Sequence, residues 1–232
     1  VTMTTDTAPP TIAITSDKTA LKAGDTANIT FTISESVSDF TQSDVVVTGG
    51  TLSNFQGSGT TYTAVFTPNV NSSVASSVSV ASNMFTDAAG NKNIDGADAN
   101  NSVSMSTDTA IPTIAISSNK TFMKAGDTAT ISFTLSESVT DFTSSDVTVS
   151  GGTLSNFTGS GTSYTATFTP TAGVTANGTI SVASTTFSDA AGNFNIDGAD
   201  ANNNLTIASD TAAPSIALTS DKSIIGANGS AT

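Results

Sequence analysis

Lys22-Ala23-Gly24-Asp25-Thr26, followed by Ile29, Phe31 and Ile33 at alternate positions, is the stretch on which the fold turns. A Gly-Asp turn runs directly into apolar residues at period two, the spacing that puts one face of a β-strand in a core. The turn returns 102 residues later as Lys124-Ala125-Gly126-Asp127-Thr128. Working outward, Asp6-Thr7-Ala8 returns as Asp108-Thr109-Ala110 and again as Asp210-Thr211-Ala212. Thr51-Leu52-Ser53-Asn54-Phe55 maps onto Thr153-Leu154-Ser155-Asn156-Phe157, and Asp87-Ala88-Ala89-Gly90-Asn91 onto Asp189-Ala190-Ala191-Gly192-Asn193. Every pair keeps the 102-residue spacing, with no insertion or deletion. A period of about a hundred residues is a whole sandwich domain and not a solenoid turn.

Alternation predicts seven strands per repeat. Ile12 and Ile14 mark the first, Ile29 to Ile33 the second, and Val45 with Val47 the third. After the Gly49-Gly50 turn come Leu52 and Phe55; after Gly57-Ser58-Gly59 come Tyr62, Ala64 and Phe66. Val78 with Val80 and Val103 with Met105 complete the set. Seven short strands separated by turn signals fit a Greek-key sandwich. The expected fold is all-β: tandem immunoglobulin-like sandwiches in a linear array, each with a modest core of small and β-branched side chains. The expected organisation is residues 1–5 as the last strand of a preceding repeat, 6–107 and 108–209 as full repeats, and 210–232 as the start of another. On that reading the chain is a window cut from a longer array.

Composition narrows the function. Roughly a third of the positions are Ser or Thr, only 11% are charged, and the net charge is −13 with no His, Cys, Trp or Arg. The polar face is built from residues suited to strands and turns, with more β-branched side chains than a disordered chain carries. A Lys count of six with no Arg gives no basic patch for phosphates or anionic lipid, which argues against nucleic-acid and membrane-surface partners. No apolar run reaches the roughly 18 residues a membrane helix needs. Val1 to Thr5 has neither the basic nor the apolar region of a signal peptide. Without His, Cys, Arg or a phosphate loop, an enzyme is the weakest class.

The acidic residues cluster. In an immunoglobulin-like topology, the start of the first strand, the loop after the second and the loop before the seventh share one end. Those places hold Asp6, then Glu35, then Asp87, Asn91, Asp95 and Asp98. In the second repeat they hold Asp108, then Glu137, then Asp189, Asn193, Asp197 and Asp200; Asp210 starts the next set. Asp17 and Asp25 of the preceding repeat approach from the other side. Two carboxylates about 4 Å apart repel by about 1 kcal/mol in water, and by more where solvent is excluded. Hard Ca²⁺, which takes six to eight oxygen ligands in a tolerant geometry, answers that crowding better than Mg²⁺ or Zn²⁺. The spacing in 91–98 is not that of an EF-hand. Taken singly, Asp17, Asp25, Asp39 and Asp44 read as turn formers that bond their own backbone.

Asp-Thr-x-x-Pro-Thr-Ile-Ala-Ile, Lys-Ala-Gly-Asp-Thr-Ala, Ser-Glu-Ser-Val, Gly-Gly-Thr-Leu-Ser-Asn-Phe, Tyr-Thr-Ala-x-Phe-Thr-Pro and Phe-x-Asp-Ala-Ala-Gly-Asn cover nearly the whole chain. As a set they resemble the bacterial immunoglobulin-like repeats in the stalks of giant surface adhesins exported by the type I route. The resemblance implies Ca²⁺ at domain junctions, with Glu35, Asp87 and the Asp108-type positions as ligands, on a bacterial cell surface. The segment 91–101 departs from that pattern by being longer and richer in Asp and Asn, which leaves room for a second ion.

The expected role is a spacer whose partners are neighbouring repeats of the same chain, holding a distal adhesive domain away from the cell. The linker Asp108-Thr109-Ala110-Ile111-Pro112 is short and Pro-stiffened. Glycan binding is an alternative, although the aromatics such sites use are scarce. Assembly into a filament or surface layer by strand donation is another. An isopeptide bond from Lys18 or Lys120 to Asn would appear as the loss of one ammonia.

Overall fold

In the computed structural model, which describes residues 5–95, 98–221, 223–224, 226–227 and 229–230, the period-two pattern becomes two sandwiches in series. The first contains β1 (Ile12–Ser16), β2 (Ala20–Lys22), β3 (Ala27–Val37), β4 (Val45–Thr48), β5 (Gly50–Pro68), β6 (Ser76–Val80) and β7 (Ser102–Asp108). The second repeats it as β8 (Ile114–Ser118), β9 (Phe122–Lys124), β10 (Ala129–Val139), β11 (Val147–Ser150), β12 (Gly152–Pro170), β13 (Gly178–Val182) and β14 (Asn204–Asp210). In each repeat a three-stranded sheet, β1-β3-β5 or β8-β10-β12, faces a four-stranded one, β2-β7-β6-β4 or β9-β14-β13-β11.

Two details differ from the sequence reading. The strands expected around Leu52 and around Tyr62 are the two arms of one long strand, β5. It folds back at Gly57–Gly59, so that Ser53 Oγ reaches Val65 O at 3.4 Å. A short strand, β2, also lies between the first and second expected strands and pairs in parallel with β7: Ala20 with Ser106, Leu21 with Thr107, Lys22 with Asp108. Three residues are too few to display a period. Only Leu21 in β2 is buried.

The cores are more aromatic than expected. Phe40, in the loop after β3, lies edge-on to Phe31, Phe55, Tyr62 and Phe85, with ring centroids 5.1–5.5 Å away. Phe142 lies edge-on to Phe133, Phe157, Tyr164 and Phe187 in the same way, with ring centroids 5.2–5.6 Å away. Such pairs add about 0.5–1.5 kcal/mol each beyond the area they bury. The Tyr62 hydroxyl donates to Val37 O at 3.1 Å and Tyr164 to Val139 O at 3.2 Å, so both tyrosines are core residues with a satisfied tip.

The expected strand over residues 1–5 lies, apart from Thr5, outside the described residues. The described part of 211–230 contains no strand, and Ile216 and Leu218 stand 85% and 89% exposed.

Candidate metal centre

The acidic site is assembled at one pole of each sandwich by three elements. Glu35 sits near the end of β3, and an isolated bridge from Val37 to Asp87 draws the loop after β6 against that strand. Within the loop, Gly90 adopts φ +89° and its N–H donates to Asp87 O at 3.2 Å, closing a tight turn that a side chain there would strain. Asn91 then points back: its backbone N–H donates to Asp87 Oδ1 at 2.8 Å and its amide to Asp87 Oδ2 at 2.7 Å. The same amide reaches Asp6 O at 3.3 Å and so fixes the chain before β1. Asp39 grips the turn from outside, both its oxygens 3.0 Å from the Thr86 N–H.

The second repeat reproduces this with Val139 and Asp189, Gly192, Asn193 and Asp141. The Asn193 amide donates to Asp189 Oδ2 at 2.7 Å and to Asp108 O at 3.0 Å. The outcome is two carboxylate trios, Asp6 with Glu35 and Asp87, and Asp108 with Glu137 and Asp189; in each, one oxygen per residue lies within 4.8 Å of the others.

Among the described residues no Lys forms an ion pair with a trio carboxylate. The two ion pairs among the described residues, Lys18–Asp25 and Lys120–Asp127, lie elsewhere. Partial burial, reinforced by the negative charges of Asp6 and Asp87, pushes Glu35 above the usual glutamate range. Burial, with Asp189 and Asp108, does the same to Glu137. Burial also works to raise Asp87, but hydrogen bonds from the Asn91 side chain and backbone, then from Ala89 and Gly90, hold it below the ordinary range. The ligand atoms on offer are all hard oxygens. That set suits a hard divalent cation and not a thiophilic one.

The remaining candidates fall outside the trios. Asp95 is buried and accepts the Ile12 N–H, together with the Asn93 amide at 3.2 Å. Asp197 likewise accepts the Ile114 N–H at 2.7 Å and the Asn195 amide at 3.3 Å. These carboxylates pin the first strand of their repeat to the loop. Asp98 and Asp200 are exposed and precede short 3₁₀ turns, bonded through their backbone N–H to Asp95 O and Asp197 O at 2.9 and 2.8 Å. Asp210 accepts Thr175 Oγ1 at 2.7 Å, with no acidic pair beside it among the described residues. Asn91 and Asn193 orient the trio carboxylates through their amides. The six-fold convergence expected at each pole is therefore three carboxylates plus one positioning Asn.

Asp17, Asp25, Asp39 and Asp44 each accept a backbone N–H, from Asn28, Lys22, Thr86 and Thr41 respectively. Sequence reading passed over Asn93 and Asn195, both fully buried. Asn93 Oδ1 accepts the Met84 and Phe85 N–H groups, and its amide donates to Ala81 O, so one side chain braces the loop. The signal was present as Asn at alternate positions, 91 and 93, in both copies.

The linker between the repeats is tied down. Thr109 is buried; its hydroxyl donates to Asn69 O at 2.7 Å and accepts the Ser72 N–H at 3.0 Å. Ser73 Oγ reaches Asp108 Oδ1 at 3.4 Å. A cleft of about 380 Å³ beside Glu137 is lined by Asn71 and Ser73 of the first repeat and by Ala110, Ile111, Thr113 and Ser136. The second trio thus lies at the seam between two sandwiches.

Two sandwiches in series, with a pinned linker and an acidic trio at the same pole of each, define a tandem immunoglobulin-like repeat protein. A family profile described as "Bacterial Ig-like domain" matches residues 6–105 and again 108–208, and the chain belongs to that family. No curated protein sequence matches it. Among solved structures it is similar to invasin, titled a bacterial integrin-binding protein, at 15% identity and a TM-score of 0.44, covering 86% of this chain and 40% of that one. It is similar to FdeC, an Escherichia coli adhesin, at 13% identity and a TM-score of 0.48, over 86% of this chain and 64% of FdeC. For InvD of Yersinia pseudotuberculosis the identity is 19% and the TM-score 0.35, over 95% of this chain and 66% of that one. The chain spans less than two thirds of the length of the first two.

Proposed function

We propose that these repeats are a stalk segment of a bacterial cell-surface adhesin, stiffened at their junctions by Ca²⁺. The observation that carries this reading is the trio Asp108, Glu137 and Asp189 at the seam. Its members come from the end of β7, from β10 and from the loop after β13, so whatever holds them together also holds one repeat against the next. Asp108, Glu137 and Asp189 would ligate the ion, and Asn193 would hold Asp189 in place. Bound Ca²⁺ supplies the positive charge that the site lacks. Modules outside the cell meet Ca²⁺ at concentrations where sites of about 10⁻⁴–10⁻³ M affinity fill.

The repeats would then act as passive links, without catalysis, outside the cell and in contact with their neighbours in the chain. The glycan-binding alternative is weakened because Tyr62 and Tyr164 are buried and offer no aromatic platform.

Thermal unfolding with excess Ca²⁺, against a chelator at equal ionic strength, tests the proposal. An ion bound only by the folded state stabilises it by about 2.7 kcal/mol at a hundredfold excess over Kd. For domains of this size that is a rise of roughly 10 °C or more. An unchanged midpoint would sink the calcium reading.

A further inference from the structure

The junction carries a second contact that involves no acidic side chain of the trio directly. The Ala23 N–H donates to Asn193 Oδ1 at 2.8 Å, and Lys22 Nζ donates to Gly192 O at 3.2 Å. Both donors belong to the turn after β2 in the first repeat; both acceptors belong to the turn that carries Asp189 in the second.

The two turns are preshaped for each other. Asp25 N–H donates to Lys22 O at 3.0 Å, and Gly24 has φ +82°, which makes residues 22–25 a type II β-turn. The carboxylate of Asp25 accepts the Lys22 N–H at 3.1 Å and so leaves the next N–H, that of Ala23, for another partner. On the receiving side, Asn193 spends its amide on Asp189 and Asp108 and has its carbonyl oxygen left. Gly192 itself has φ +84°, a conformation that its missing side chain permits without strain.

The first repeat supplies a control. Asn91 makes the same internal bonds as Asn193 but among the described residues has no turn docked on it, and it is only half-buried where Asn193 is 4% exposed. Ala125, the counterpart of Ala23, is exposed.

We propose that the Lys-Ala-Gly-Asp turn of each repeat is a docking element for the Asp-Ala-Ala-Gly-Asn turn of the next, a latch that sets the angle between repeats without an ion. Its partner is defined by chemistry: a turn that presents one glycine carbonyl and one asparagine amide oxygen side by side. The Lys124–Asp127 turn offers the same donors to a further repeat, and the Gly90–Asn91 pair offers the same acceptors to a preceding one. The proposal rests on the reading of these repeats as links in a rod, though not on the calcium.

Amide exchange on the intact chain tests it. The Ala23 amide should exchange several-fold more slowly than that of Ala125, with chelator as well as with Ca²⁺. Ala23→Pro removes the N–H while placing proline at the turn position that favours it, so the first repeat should keep its stability. Spin-label distances between the repeats, measured in chelator, should broaden in that variant and stay unchanged in Ala125→Pro. Equal exchange at the two amides, or an unaltered distance distribution in Ala23→Pro, would overturn the latch. Protection of Ala23 that appears only with Ca²⁺ would overturn its independence of the ion. A protected Ala23 in a chain whose unfolding ignores Ca²⁺ would keep the latch and discard the calcium reading.

Discussion

The two acidic poles have the same residues in the same order, and among the described residues the second is roofed by the neighbouring repeat. Asp6 is exposed where Asp108 is half-buried; Gly90 is exposed where Gly192 is half-buried; Asn91 is half-buried where Asn193 is buried. Nothing in the local sequence accounts for this. The neighbouring repeat does, through Ser73, Lys22 and Ala23. The trio recurs at each pole, but its burial depends on the repeat that comes before it.

The cores should be insensitive to that difference. Phe142→Ala and Phe40→Ala each remove a ring that touches four others, at a cost of about 3–5 kcal/mol. Calorimetry should show similar losses in the two repeats, and a large disparity would mean that the neighbour supports the core as well as the pole. At the sites the repeats should part. Glu137→Gln should abolish most of the stabilisation of the second repeat by Ca²⁺, about 2.7 kcal/mol at a hundredfold excess over Kd. Glu35→Gln should remove less, because the open trio holds the ion less tightly. Equal losses in a Ca²⁺ titration would erase the distinction.

Asp197→Ala and Asp95→Ala orphan the Ile114 and Ile12 N–H groups, each at a cost of about 1–3 kcal/mol. The first should also loosen the junction, since β8 begins there; spin-label distances would report it. The smallest effect is on pH. Glu35 and Glu137 have folded pKa values raised above their unfolded ones, so the stability tied to them is fully present below the ordinary glutamate pKa. It is lost as pH rises through the elevated values. Asp87 runs the other way: its contribution is present above the ordinary aspartate pKa and lost as pH falls through the depressed one. In chelator, Glu137→Gln should flatten the decline just above the glutamate range. A decline of unchanged slope would mean that Glu137 is not the group responsible.

Much of this was legible in the sequence because the repeat compares the chain with itself. The period placed the turns, alternation placed Ile29, Phe31 and Ile33 inward, and topology brought Glu35 to Asp87. Three things were not legible. Phe40 follows Ser38-Asp39, which reads as a loop, and no period reveals that its ring joins the core. Asp95 sits in the acidic loop and reads as a Ca²⁺ ligand, whereas the N–H it accepts belongs to a residue 83 positions away. The contact between residues 22–23 and 192–193 spans 170 positions and two domains, beyond any local pattern.

The parallel pairing of β2 with β7 has a mechanical side. β2 lies near the beginning of its repeat and β7 at the end, and their partners Ala20 with Ser106 through Lys22 with Asp108 run in the same direction. Tension applied through the chain pulls these strands past each other along their length. Their hydrogen bonds are then loaded in shear, all at once, instead of being peeled one by one. Forced unfolding is governed by the rate of crossing that barrier and not by the resting free energy. A repeat of modest equilibrium stability is thereby suited to bearing load, and single-molecule stretching should show each one yielding in a separate, abrupt step.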